Sequence, residues 1–224
     1  MPETSLTRDT SQQLLEAVPV GLLLVESGGK ILFVNAHVEK LFGYLREELL
    51  GHEVELLVPE RFRGRHPEYR AGFFAAPQVR SMGAGRDLYG LRKDASEFPI
   101  EIGLTPLAIH TGIQVLSTII DITERKRTEE RFRLVIESAP NAIVMVNDQG
   151  NITLVNSQTE KFFGYSREEL LGQPVEVLVP HRFRRRHPEY RNGFFQAPQV
   201  RSMGVGGNCS VCARMAASFP LRLA

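Results

Sequence analysis

The histidines at 66 and 187 are the residues of this chain whose type could do ligand chemistry, and each sits in the same six-residue segment. Arg65-His66-Pro67-Glu68-Tyr69-Arg70 recurs as Arg186-His187-Pro188-Glu189-Tyr190-Arg191. A neutral imidazole donates to a metal from one ring nitrogen while the other is held by a hydrogen bond. Arg86 follows His66 by twenty residues, whereas Gly207 stands in the matching place after His187. Cys209 and Cys212 have the C-x-x-C spacing of a zinc or redox pair, but two thiols supply only two ligands. Arg61, Arg63, Arg65 and Arg70 form a basic cluster, repeated as Arg182, Arg184, Arg185, Arg186 and Arg191. With a net charge of +1 and no interleaved stacking aromatic beyond Phe62, a solvated helix face accounts for it, and no nucleic-acid partner is expected. There is no phosphate-cradling glycine loop, no paired carboxylate site and no nucleophile beside a base, so no enzyme is expected.

These residues are set in a duplication. Residues 11–85 align with 132–206 without a gap at an offset of 121, and in the best stretch about 35 of 45 positions are identical. A unit this long has its own core, so each copy reads as a domain. Within the first copy, Ser11–Ala17 has helical spacing, and Gly21–Val25 and Lys30–Val34 read as two strands. Asn35 is placed to cap a helix that ends near Gly43. Short helical turns follow at Arg46–Leu50 and Val54–Val58, then a longer helix within Arg61–Phe74. Strands are expected over Gly85–Arg92, Glu97–Leu107 and Gly112–Ile122. The order predicts an α+β fold, an antiparallel five-stranded sheet with short helices on one face. The domains are read as 11–123 and 134–206, joined by a charged helical linker over 124–133, with 207–224 as a separate tail.

In the 224 residues, 42% are hydrophobic and 24% charged, as in soluble globular proteins. No apolar run approaches the roughly 20 residues of a membrane-crossing helix, and no signal peptide is expected at Met1-Pro2-Glu3. The first copy has no cysteine, which fits a cytoplasmic protein.

The element order, together with Val34-Asn35, Phe42-Gly43-Tyr44, Arg46-Glu47-Glu48-Leu49-Leu50-Gly51, Arg92-Lys93-Asp94-Ala95-Ser96-Glu97-Phe98-Pro99 and Asp121-Ile122-Thr123-Glu124-Arg125-Lys126, resembles the PAS sensory domain family with its PAC segment. The resemblance implies a tandem sensor that binds a small ligand or partner between sheet and helices and passes strain to its flanking helices. It also implies a homodimer and a signalling effector, such as a sensor kinase or a cyclic-dinucleotide enzyme. In haem-binding members, His66 matches the axial ligand, Tyr69 lies in the same segment, and Arg86 matches the arginine on the opposite face. Haem is thus the cofactor the resemblance suggests, beside the alternatives of another ligand or an empty dimerisation scaffold. Cysteine-adduct flavin chemistry is not expected, since the Asn-Cys-Arg motif is absent. Ala95 departs from the family, which usually has glycine in this hairpin, at a cost if the position needs positive φ.

The second copy departs from the first at Gly207. Synonymous codons for residues 207–224, read one base out of phase, spell Arg-Glu-Leu-Phe-Gly-Leu-Arg-Lys-Asp-Gly-Ser-Glu-Phe-Pro-Leu-Glu-Ile-Gly, close to the first copy's own strand pair. A single-base frameshift truncating a longer protein is therefore expected, and with it a second domain short of its closing strands.

Overall fold

The computed structural model describes residues 8–82, 87–110, 112–196, 210–212 and 218–220. The chain divides into two compact units, residues 1–128 and 129–224.

Unit 1 opens with α1 (Arg8–Ala17), then β1 (Gly21–Glu26) and β2 (Ile31–Val34). Four helical segments follow: α2 (Ala36–Phe42), α3 (Arg46–Leu49), α4 (Glu60–Arg63) and α5 (His66–Ala75), with a 3-10 turn at Val54–Leu57 between α3 and α4. The sheet is completed by β3 (Arg80–Met82), β4 (Leu88–Leu91), β5 (Glu97–Ile109) and β6 (Gly112–Asp121). Its order is β2-β1-β6-β5-β3, with β4 also paired to β5, and all pairings are antiparallel. The sheet thus has six strands rather than five. β3 and β4 occupy one lane, since β3 lies along residues 102–104 of β5 and β4 along residues 97–100. The longer helix expected within Arg61–Phe74 is α5, and a separate four-residue helix, α4, precedes it. Pro67 fits the first turn of α5, where no intrahelical N–H is needed, and it cannot sit deeper in a helix continued from α4.

Local chemistry sets the helix ends. Asn35 Oδ1 accepts from the Val38 amide at 3.2 Å, and Gly43 closes α2 in the left-handed region at φ 75°. Ala95 has φ 64°, the left-handed geometry that favours glycine in this turn. Helices and sheet enclose a core of Leu23, Val25, Ile31, Val34, Val38, Phe42, Leu49, Leu57, Phe98, Ile100 and Ile119. Phe42 and Phe98 meet edge to face at 5.2 Å. Gly90 makes room for them, because a Cβ there would lie 2.9 Å from both rings.

α6 (Thr123–Ser138) leaves β6 and runs into unit 2. There β7 (Val144–Val146) pairs with β8 (Ile152–Val155), followed by α7 (Ser157–Phe163), α8 (Arg167–Leu170), a 3-10 turn at Val175–Leu178, α9 (His181–Arg184) and α10 (His187–Gln196). Ile152, Val155, Phe163, Leu170 and Leu178 repeat the unit 1 core positions. In the tail, β9 (Ser210–Cys212) pairs with β10 (Ser218–Pro220). The pairs Phe219–Val211 and Pro220–Ser210 keep the register of Phe98–Gly90 and Pro99–Tyr89, with valine where unit 1 has its glycine. Two short strands therefore form where the sequence led to none. The shared Phe-Pro dipeptide stands at the same place in both hairpins.

Each unit grips its entering helix in the same way. Asn35 donates to Leu15 O at 3.2 Å and Val20 O at 2.9 Å, and Glu16 bonds Arg46 and the Ala36 amide. In unit 2, Asn156 donates to Ile136 O at 3.0 Å and Asn141 O at 2.9 Å, while Glu137 bonds Arg167 and the Ser157 amide.

Candidate functional site

The 3-10 turn at Val54–Leu57 sends Leu57 into the core and carries Glu55 to a position only 5% exposed. A buried carboxylate is costly unless it is well bonded. Here α5 answers it: His66 and Arg70, four residues apart, share one helix face. Glu55 Oε1 contacts His66 Nδ1 at 2.9 Å and accepts from Arg70 Nε at 3.2 Å. Arg70 also donates from Nη1 to Ser27 O at 3.0 Å, tying α5 to the β1–β2 turn. In that turn Gly29 has φ 92°, and a Cβ there would overlap the Arg70 guanidinium. Unit 2 repeats the arrangement: Glu176 Oε1 meets His187 Nδ1 at 2.9 Å and Arg191 Nη1 at 2.6 Å, with Gly150 at φ 85° beneath the arginine.

An ionised carboxylate only accepts, so the proton lies on His66 Nδ1 and the Nε2 lone pair is left for a ligand. Burial pushes the Glu55 carboxyl up. Donation from His66 and from its own backbone, with the positive charge of Arg70, outweighs burial and holds it below the ordinary value of 4.5. A depressed folded pKa stabilises the fold above the ordinary carboxylate range, and that contribution is lost as pH falls through the depressed value. The urea midpoint of the full chain should therefore drop below pH 4.5, with a shallower drop in Glu55→Gln. Equal slopes for the two proteins would remove Glu55 from the acid response.

Of the residues singled out in the sequence, the structure places His66 and Tyr69, both in α5. His66 is part-buried against Glu55. Tyr69 is 53% exposed and lies 5.6 Å beneath the Arg65 guanidinium. Arg86 and Cys209 lie outside the described residues. Of Cys212 the structure describes only the backbone of β9. With Nδ1 held by the Glu55 carboxylate, Nε2 is the one His66 ring nitrogen left for a metal ion. Sequence reasoning missed Glu55 as the histidine's partner. The available signal was an acid repeated at 55 and 176 within two otherwise apolar turns.

A second cluster lies where the sheet passes into α6. The Arg92 guanidinium sits 3.8 Å over the Phe98 ring, donates from Nε to Leu41 O at 2.9 Å, and pairs through Nη2 with Asp121 Oδ2 at 3.2 Å. Asp121 Oδ1 accepts from the Thr123 amide at 2.8 Å, capping α6. Ile122 N donates to Pro99 O at 3.1 Å, and Arg125 of α6 pairs with Glu101 of β5. An open cleft of about 450 Å³ lies here, lined by Arg92, Glu97, Phe98, Asp121, Thr123 and Arg127 among others. One side chain thus joins the end of α2, the core and the exit helix.

Comparison with known proteins agrees with this architecture. The PAS domain family matches residues 19–124, and the PAS fold family matches residues 130–216. The chain is 25% identical over 168 residues to the oxygen sensor protein DosP of Escherichia coli, covering 74% of this chain and 21% of DosP. It is 27% identical over 128 residues to the sensor protein FixL of Bradyrhizobium diazoefficiens, covering 57% of this chain and 25% of FixL. It therefore spans a quarter or less of the length of these relatives. Among solved structures, an RNA-binding light-oxygen-voltage receptor superposes with a TM-score of 0.50 at 18% identity, covering 60% of this chain and 38% of that one. The PAS domain of an HTR-like protein from Haloarcula marismortui gives 0.45 at 21% identity, covering 52% and 92%. With both halves matched in tandem, the chain belongs to the PAS family of sensory domains.

Proposed function

We propose that the chain is a ligand- or partner-responsive relay rather than a catalyst, the sensory part of a larger signalling protein such as a sensor kinase or a cyclic-dinucleotide enzyme. The observation that carries this reading is the Arg92 joint, which ties α2, Phe98 and Asp121 to the first turn of α6. A ligand that favours one packing of the helices against the sheet biases that joint, and α6 reports the bias. The expected assembly is a homodimer docked to a signalling effector.

A second, narrower reading is a haem-based oxygen or redox sensor. Two observations favour it: the Nδ1-anchored His66 and the likeness to an oxygen sensor. His66 would hold the iron through Nε2 and Glu55 would orient the imidazole, while Arg86 is the residue the family resemblance gives for contact with a bound gas. Haem, when bound, would supply the gas- or redox-sensitive iron.

One experiment separates these readings. Hydrogen exchange of α6 and the visible spectrum are followed on the full chain with and without added haemin. A Soret band that survives gel filtration, is lost in His66→Ala and is kept in His187→Ala establishes the haem reading. A colourless protein in which Arg92→Ala speeds exchange at residues 123–128 by tenfold or more supports the relay without haem. A colourless dimer whose α6 exchange ignores Arg92→Ala leaves the scaffold alternative and ends the relay reading.

A further inference from the structure

The chain's net charge of +1 conceals a sharp asymmetry. Residues 181–224 contain eight arginines, no lysine, and Glu189 as their single acid, a net +7, so residues 1–180 carry −6. The structure describes the first part of this segment, α9 and α10. Arg184 is committed to Val179 O and Val177 O, and Arg191 to Glu176. Arg182, Arg185 and Arg186 are exposed and, among the described residues, have no carboxylate partner. Arg182 lies 4.8 Å over the Phe183 ring and Arg186 5.7 Å over Tyr190, and these two residues are 44% and 57% exposed.

The sister surface in unit 1 is far less basic. There Glu60 and Glu68 oppose four arginines over residues 60–70, for a net +2. Arg61 is further neutralised by Glu97. At the equivalent places unit 2 has His181 for Glu60, Arg185 for Gly64 and Ser218 for Glu97, and residues 181–191 reach +4. All three replacements move the surface in the positive direction, on a scaffold otherwise repeated.

We propose that the α9–α10 face of unit 2 binds single-stranded nucleic acid. The charge fits a phosphate backbone, and exposed rings beside guanidinium planes are the stacking surfaces that unpaired bases use. An acidic peptide has no use for the ring faces. Insertion into an anionic membrane needs an extended apolar helix face, which the four-residue α9 and the polar α10 do not provide. The expectation of no nucleic-acid partner rested on the net charge and on the lack of stacking aromatics beyond Phe62; the local charge here, with Phe183 and Tyr190 exposed beside it, argues the other way.

The test is fluorescence anisotropy of the full chain with a labelled mixed-sequence RNA 20-mer between 50 and 200 mM KCl. Binding should weaken with salt, and neutralising Arg182, Arg185 and Arg186 to alanine should reduce the log–log salt slope by about 2. Phe183→Ala with Tyr190→Ala should weaken binding about tenfold or more. His181→Glu with Arg185→Gly, which installs residues that unit 1 already folds with, should also weaken it, whereas Arg65→Ala in unit 1 should not. Absence of binding at 50 mM KCl overturns the proposal. So does equal binding to polyglutamate or to phosphatidylserine vesicles that is indifferent to Phe183 and Tyr190.

Discussion

Replacing Phe98 with alanine is expected to remove about 3–5 kcal/mol from the stability of unit 1, the range for a fully buried aromatic. Phe98 is 2% exposed, closes the core against Phe42, and forms the floor on which the Arg92 guanidinium rests. The substitution therefore acts twice. It opens a cavity between β5 and α2, and it unseats the side chain that connects the core to Asp121 and α6. Urea unfolding followed by circular dichroism measures the first effect, and exchange at residues 123–128 the second. Phe98→Leu should restore much of the stability, since it refills most of the volume. It should restore less of the α6 protection, because a leucine offers no ring face to the guanidinium. A loss under about 1 kcal/mol for the alanine variant, below the range for such burial, would contradict the central place given to Phe98.

Asn35→Ala should be comparably severe, for polar rather than apolar reasons. Asn35 is fully buried, accepts from the Leu22 and Val38 amides at 3.0 and 3.2 Å, and donates to Leu15 O and Val20 O. Alanine strands these groups, at about 1–3 kcal/mol for each one left buried without a partner. The expected sum is about 3–5 kcal/mol after partial relaxation, with the end of α1 at Leu15 released from Asn35. Asn35→Asp should be no milder, since it keeps both acceptor bonds but sets a buried carboxylate oxygen against the Leu15 and Val20 carbonyls. The same substitution at Asn156 should release the end of α6 at Ile136, read as faster exchange there. An Asn35→Ala protein with unchanged α1 exchange would show that the asparagine merely caps α2.

Much of this was legible in the sequence because it is local. The cap at Asn35, the left-handed Gly43, the positive φ at Ala95 and the alternation of β5 and β6 depend on neighbours within a few residues. The duplication made each of them readable twice. The split of the outer lane into β3 and β4 was not legible, because Arg80–Met82 has no alternating pattern and pairs only because β5 extends past it. The break between α4 and α5 was written in Pro67, but the arginines around it read as one continuous helical face.

The sequence by itself determined the family and the repeat, since these follow from residue order and spacing, and it singled out His66 as a candidate through the family resemblance. Tertiary structure alone decided what that histidine does with its first nitrogen. Glu55, His66 and Arg70 meet across 11 and 15 residues, through a 3-10 turn and a helix whose relative placement no periodicity encodes. It likewise decided which arginines are spent on carbonyls and carboxylates and which face solvent. The reason is common to both: a charged side chain's partner is chosen by packing in three dimensions, and composition counts the charges without pairing them.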